Sequence, residues 1–392
     1  MMLEFESVVA PLGAEVFLRD FWLKQFVHIP GKPGRFTALL SWDELSAILE
    51  QHRLTPPRLK LYRDGQPLDP ALYLTPAMFG VPRLDAGRLA IQLAQGASLI
   101  LDDAQELAPR VRDLMGVFQD SLRTDAFANL YAGWHSQNAF NRHWDAQEAM
   151  VLQLAGRKRW RVWRPTRLHP LQNDSEPPAP PTAGPAWEGV LNDGDVLYIP
   201  RGWWHDAFPL NEPSLHLTVS LTPPTALDYL GWVMSRLRDQ ADLRASLPSA
   251  GDAWQSEMAA RISTLVADTL RAAPLTEFQR QWEANIRPNP YINLPAAPYE
   301  QLAPVAESSL VRLASLHRLS LAPLGDNFEF AAGGRLWTVP KALQPVLAKL
   351  TNNREFRVAE LAAALAGPAA KADLLKSLTV LAQAGVVLVR KG

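Results

Sequence analysis

Cysteine is absent from the sequence. Disulfides, thiolate-bound zinc and a cysteine nucleophile are therefore excluded, and any metal has to be held by His, Asp or Glu. Excess charge is lacking too: 39 Lys and Arg stand against 40 Asp and Glu, a formal net charge of -1. No global field draws the chain to nucleic acid or to anionic lipid, and neither is expected as a partner. Nor is there an apolar run near the ~18 residues of a membrane span, since the first thirty residues mix apolar side chains with Glu4, Glu6, Glu15, Arg19, Asp20 and Lys24. A soluble, cytoplasmic protein without a membrane partner is the expectation.

What is present is an ordinary globular balance, 47% hydrophobic and 20% charged, over 392 residues. At roughly 100–200 residues per domain, two or three cores are expected. Residues 12–27 carry Val16, Phe17, Leu18, Phe21, Trp22 and Phe26 near helical spacing, which predicts an amphipathic helix leading into a strand. Ser41 with Glu44 three positions on is a capping box for a helix at 42–52. Residues 53–130 are mixed, with a helix expected at 104–123. From Phe127 to Leu221 short β-rich runs alternate with turns (FANLYAGW, EAMVLQLAG, KRWRVWRP, DVLYIP, SLHLTVSL), the pattern of a sandwich or barrel. The proline-rich stretch at 174–187 between them reads as an exposed loop. After Pro223-Pro224 helical periodicity returns in three segments that end in a linker at 288–304. The last part reads strand-like at 310–321, then helices at 340–350, 358–366 and 369–384, then a strand, VVLVRK: a winged-helix pattern.

Chemistry concentrates in two places. His143 and Asp145 are separated by one residue, and neighbours at i and i+2 in a strand share a face, so imidazole and carboxylate can meet at one ion. His205 closes the segment GDVLYIPRGWWH at 194–205. Two histidines and one carboxylate form the facial set of non-heme Fe(II) oxygenases, although a surface HxD in a turn is the ordinary alternative. Lys158 changes the weighing. Together with Trp160 and Val162 it occupies one face of its strand, while Arg157, Arg159 and Arg161 occupy the other. A lysine among inward apolar residues suits the far carboxylate of a 2-oxoglutarate that chelates iron through its other end; a solvated basic face is the plain reading of the arginines. Trp144, Trp203 and Trp204 flank the candidate ligands as core or as cavity walls. Asp206 is either an orienting carboxylate or an exposed turn residue, and His135 is a candidate substrate contact near the mouth. His28, His52, His169 and His317 lack spaced partners.

NLYAGW (129–134), HWDAQEAMVLQLAGRKRWRVW (143–163), GDVLYIPRGWWHDA (194–207) and SLHLTVSL (214–221), in that order and at these spacings, resemble the JmjC ribosomal oxygenases of the cupin-4 group. The resemblance implies an α+β chain: a double-stranded β-helix (JmjC/cupin) catalytic domain at 1–224, a helical dimerisation region at 225–303 and a winged-helix domain at 304–392. It implies Fe(II) as cofactor, 2-oxoglutarate as co-substrate, and hydroxylation of a side chain, arginine or histidine, in a ribosomal or other protein or peptide substrate, by a homodimer. Residue by residue it makes His143, Asp145 and His205 the metal ligands and Lys158 the anchor of the far carboxylate, with Asn129, Tyr131, His216 and Thr218 around the co-substrate. The segment AGWHSQNAFNR at 132–142 departs from the family's Gly- and Pro-rich approach to HxD, which leaves a peptide natural product open as substrate. Two other classes remain: a metal-binding cupin that is no oxygenase, and a nucleic-acid regulator. Lys158 speaks against the first. Against the second, VAELAAALAG at 358–367 carries no positive residue to meet phosphate.

Overall fold

A computed structural model describes residues 4–76, 80, 82–136, 139–174, 179–247, 252–286, 291–292, 305–314, 319–351 and 354–390. It divides into two units, Met1–Thr222 and Pro223–Gly392. Among the described residues the first contains thirteen strands: β1 (Val27–Ile29), β2 (Leu59–Arg63), β3 (Gln66–Pro67), β4 (Leu74–Thr75), β5 (Arg83–Leu84), β6 (Ser98–Leu101), β7 (Asp125–Gly133), β8 (Glu148–Ala155), β9 (Lys158–Trp163), β10 (Trp187–Leu191), β11 (Val196–Ile199), β12 (Trp204–Pro209) and β13 (Ser214–Thr222). Eight of them make one sheet in the order β1-β11-β8-β13-β7-β6-β2-β3, and β10-β9-β12 make a second.

The two sheets face each other over one apolar layer, to which Ala149, Val151 and Leu197 come from the large sheet and Trp160, Val162 and Leu191 from the small one. β8 is buried at every position but its last, which accounts for its almost unbroken apolar run: a central strand covered on both faces has no side to leave polar. β7, with only one face fully covered, alternates in burial as far as Ala132. Pairing of β13 with β7 sets His216 opposite Tyr131 and Thr218 opposite Asn129. The helix Pro109–Leu122 packs against β7 with Leu114, Met115 and Phe118 buried.

The capping box is present: Ser41 Oγ accepts from Glu44 N at 3.1 Å and Glu44 Oε2 from Ser41 N at 2.8 Å. The run at 12–27 is not one α-helix. A short helix, Ala14–Val16, passes into a π turn, Phe17–Phe21, closed by Trp22 N donating to Phe17 O at 2.9 Å, before β1. The wider turn accompanies a fully buried Phe17 whose ring lies 5.1 Å from that of Tyr198.

The second unit opens with helices Ala226–Arg236, Asp252–Ala272 and Leu275–Asn285, where the rings of Tyr229, Trp232 and Phe278 lie 5.5–5.9 Å apart. A separate core gathers Leu343, Val346, Leu347, Leu374, Leu378 and Leu381. Around it lie helices Gln344–Leu347, Val358–Ala362 and Gly367–Gln383, a three-stranded sheet (Phe356–Arg357, Leu310–Leu313, Val387–Arg390) and a second one (Ala322–Leu324, Asn327–Ala332, Arg335–Pro340). The linker expected at 288–304 lies outside the described residues except for 291–292, as does His317.

Candidate metal centre and its cavity

His143, Asp145 and His205 come together, their ligand atoms all within 4.8 Å of one another. His205 lies in β12. The HxD segment does not lie in a strand: it runs between β7 and β8 and joins the sheet through a single bridge, His143 N donating to His205 O at 3.1 Å and His205 N to His143 O at 2.7 Å. A third backbone bond, Gly202 N to Asp145 O at 2.9 Å, ties Asp145 to the turn that precedes β12.

Each imidazole is oriented by a carbonyl. His143 Nδ1 lies 2.8 Å from Asn141 O and His205 Nδ1 3.1 Å from Trp203 O. A carbonyl can only accept, so both rings carry their proton on Nδ1 and turn an Nε2 lone pair toward the shared point. His205 Nε2 is 3.5 Å from Asp145 Oδ2. Burial, and then the nearby His143, hold His205 well below the usual imidazole range, so its ring is neutral, the form a metal takes. Two imidazoles, that of His205 neutral, and one carboxylate on one side of a point fit a divalent transition ion with open positions opposite.

The triad lines a cavity of about 230 Å³ whose walls include Lys158, Trp160, Tyr131, His216 and Thr218. Lys158 is 7% exposed, and no carboxylate pairs with it among the described residues. Burial alone brings its ammonium down to about 7. His216 stacks flat on Tyr131, ring centroids 4.8 Å apart and planes 6° off parallel, with Trp160 edge-on at 5.6 Å. Burial, and then the charge of Lys158, push His216 far below its ordinary value; burial, and then Asp145, push the Tyr131 hydroxyl up. His216 Nδ1 and Trp160 Nε1 are buried without a hydrogen-bond partner among the described residues. A buried cation without an anion beside a metal-type donor set suits a ligand with a carboxylate at one end and oxygen donors at the other.

The remaining expected residues fall elsewhere. Asn129 is off the cavity wall: its Oδ1 accepts from Asp103 N at 3.1 Å, and its side chain bonds Tyr131. Trp203 packs in the apolar layer with Phe26, ring centroids 5.3 Å apart, and Trp204 donates from Nε1 to Thr166 Oγ1 at 2.9 Å. His135 is exposed, and Trp144 is half-buried. Asp206 is no exposed turn residue. It is 4% exposed and held by both arms of Arg161, at 2.8 and 2.7 Å. Phe140, which no sequence motif above includes as a site residue, lines the cavity with its ring 5.6 Å from that of His143 and 4.7 Å from that of Tyr62. An aromatic three positions before HxD is the only signal that could have marked it.

The family model of the JmjC domain matches residues 102–229. Among curated proteins, the bifunctional lysine-specific demethylase and histidyl-hydroxylase NO66 of Drosophila pseudoobscura pseudoobscura is 30% identical over 222 residues, covering 55% of this chain and 22% of that protein. Human ribosomal oxygenase 1 is 31% identical over 224 residues, covering 55% of this chain and 34% of that one. The chain thus spans about a third or less of the length of these relatives. Among solved structures, YcfD, a ribosomal oxygenase from Escherichia coli in complex with cobalt and 2-oxoglutarate, matches with a TM-score of 0.57 at 16% identity over 96% of this chain and 98% of that one. Another Escherichia coli YcfD crystal structure gives 0.59 at 18% identity over 97% and 98%. At such identities the likeness is one of fold. Residues 102–229, which hold His143, Asp145, His205 and Lys158 together, match the JmjC domain, and the chain is similar in sequence to ribosomal oxygenase 1 and in fold to YcfD.

Proposed function

We propose that the protein is an iron(II)- and 2-oxoglutarate-dependent oxygenase that hydroxylates a side chain, arginine or histidine, of a ribosomal or other protein substrate. The observation that carries this reading is an ammonium, buried without a counterion among the described residues, in the same cavity as a two-histidine, one-carboxylate cluster. When bound, the iron and the 2-oxo acid supply the oxidising chemistry needed at an unactivated carbon. The chain's own residues position and shield. His143, Asp145 and His205 hold one side of the ion, and Lys158 receives the far carboxylate. Tyr131 and Thr218 bring hydroxyls to the cavity, with His216 stacked against Tyr131. Phe140, beside His143, narrows access for water on the metal side.

We assign the second unit two supporting roles. The helix Ala226–Arg236 presents Leu227, Leu230 and Met234, which are 59%, 42% and 53% exposed, as a homodimer face. The C-terminal elements make a winged-helix module that contacts protein rather than DNA, since Val358–Ala362 carries no positive residue. Leu230→Glu should halve the mass seen by light scattering, and a salt-sensitive shift of duplex DNA would overturn the second role.

The main test supplies Fe(II), ascorbate and 2-oxoglutarate under air and follows succinate by NMR for the wild type, His143→Ala and Lys158→Ala. Succinate from the wild type alone supports the reading, and ribosomal-protein peptides are then screened by mass spectrometry for one added oxygen. If none forms and the metal-loaded protein does not bind 2-oxoglutarate, a cupin with another metal chemistry becomes the better account.

A further inference from the structure

Two of the three candidate ligands sit on a segment that belongs to no strand, and backbone bonds at His143 and Asp145 fix it to the elements around it. What else fixes it lies on the far side of the small sheet. Neighbours in an extended strand face opposite ways, so while His205 lines the cavity, Asp206 points away from it, paired across the ladder with Arg161. Arg142, the residue before His143, reaches the same outer face. Its guanidinium lies 3.8 Å from the ring centroid of Trp163 and its Nε 3.9 Å from Asp206 Oδ2, and that Nε has no hydrogen-bond partner among the described residues. Arg161 covers the same ring from 5.3 Å while binding Asp206 with both arms. Behind the His143–His205 pair there is thus a second pair made by their chain neighbours, seated on a tryptophan that is 2% exposed.

We infer that Arg142, Asp206, Arg161 and Trp163 form a clamp that positions His143 against His205 for metal binding; Arg142 and Asp206 are positioning residues that never touch the ion. This rests on the metal-site reading above. The stack on Trp163 gives the clamp a flat seat that a lysine does not reproduce, and the two-armed Arg161 bond holds Asp206 in one orientation. Without the clamp the HxD segment keeps its backbone bridge but gains freedom to carry the His143 ring away from the shared point. Neighbours that orient metal ligands are typically worth about 10- to 100-fold in metal affinity.

The experiment strips the full-length protein with a chelator and titrates Co(II), reading calorimetric affinity and visible d–d absorption, for wild type, Asp206→Asn, Arg142→Ala, Arg142→Lys and the Arg142→Ala/Asp206→Asn double variant. Arg157→Ala is the control: it breaks an equally well-formed two-armed pair, with Glu212, that joins the β8–β9 and β12–β13 turns and includes neither a candidate ligand nor a clamp residue. The inference expects about 10- to 100-fold weaker Co(II) binding and an altered absorption envelope in Asp206→Asn and Arg142→Ala. The double variant should be little worse than either, and Arg157→Ala should bind as wild type does. Single variants that stay folded by circular dichroism and bind within twofold of wild type overturn the clamp. If Arg142→Ala does not fold, Arg142→Lys decides, since it keeps the charge and loses the stack: weakened binding supports the clamp and wild-type binding overturns it. A wild type that takes up no Co(II) fails earlier, and removes the metal-site reading itself.

Discussion

Replacing Lys158 by methionine should make the ligand-free protein more stable while disabling its co-substrate site. The ammonium is buried without a counterion among the described residues, and burial brings it from 10.5 to about 7. At 1.36 kcal/mol per factor of ten, that is an upper bound of roughly 5 kcal/mol held against the fold. Relaxation around the site brings the expected gain from Lys158→Met to about 2–3 kcal/mol near pH 7, as for other buried charges exchanged for apolar groups. The wild-type folded value lies below the unfolded one, so between about 7 and 10.5 the unfolded chain holds a proton that the folded chain has released. Wild-type stability should therefore rise with pH across that window, and the variant should lack the rise. Binding runs the other way. A dicarboxylate that needs the charged amine must draw a proton in above pH 7, so its affinity should fall about tenfold per pH unit there, and Lys158→Met should lose on the order of 30- to 1000-fold at pH 7. Thermal melts from pH 6 to 9, with calorimetry of 2-oxoglutarate on Mn(II)-loaded protein in buffers of different ionisation enthalpy, read every limb. A variant less stable than wild type at pH 7, or one that binds 2-oxoglutarate equally well, would refute the reasoning.

Asp195 is raised by burial but held below its ordinary range on balance by donors at Asn192 N, Gly31 N and the His28 ring, 2.9, 2.7 and 3.0 Å away. Its contribution is present above pH 3.8 and is lost as pH falls through the depressed folded value, so Asp195→Ala should cost about 2–4 kcal/mol at pH 7 and flatten the acid limb of a urea-melt series. Gly156 sits at φ +64° in the turn before Lys158, where an added Cβ would lie 1.9 Å from Pro213 O. Gly156→Ala should lose more than about 2 kcal/mol in chemical denaturation, and a melt within 1 kcal/mol of wild type would show that the turn can open without cost.

Local rules made much of this site legible. The capping box at Ser41 and Glu44 needs only four residues, and the alternation that turns Lys158 inward and Arg159 and Arg161 outward needs only the pleat of one strand. The co-location of His143 and Asp145 was also legible, though for a partly mistaken reason: the segment is not a strand, and a bridge to His205 sixty positions away (205 minus 145) brings it into place. Strands β10 and β12 escaped notice because neither alternates apolar with polar residues. β12 carries His205 on its cavity side and the Arg161-bound Asp206 on the other, both buried, so polar residues fall on both faces and no period of two shows. Asp206 read equally well as a turn carboxylate because what buries it, Arg161 and Arg142, comes from other segments, and pairing of that kind has no local signature.

The charges within the cavity also say how its occupants would bear on one another. The carboxylate of Asp145 stands against the ammonium of Lys158, with His205 and His216 kept neutral chiefly by burial. A divalent ion alone adds two positive charges to a low-dielectric space that already contains an uncompensated ammonium. A dicarboxylate alone adds two negative charges beside Asp145. Together they return the cavity to balance, each lowering the cost of placing the other. On the proposed function, metal and co-substrate therefore bind cooperatively, and linkage makes the effect reciprocal: the factor by which the ion tightens 2-oxoglutarate is the factor by which 2-oxoglutarate tightens the ion. That coupling gives the unpaired lysine a purpose. Were Asp145 and Lys158 close enough to satisfy each other, the fold would be more stable and the ligand-free cavity calmer, but neither group would be left to recognise anything.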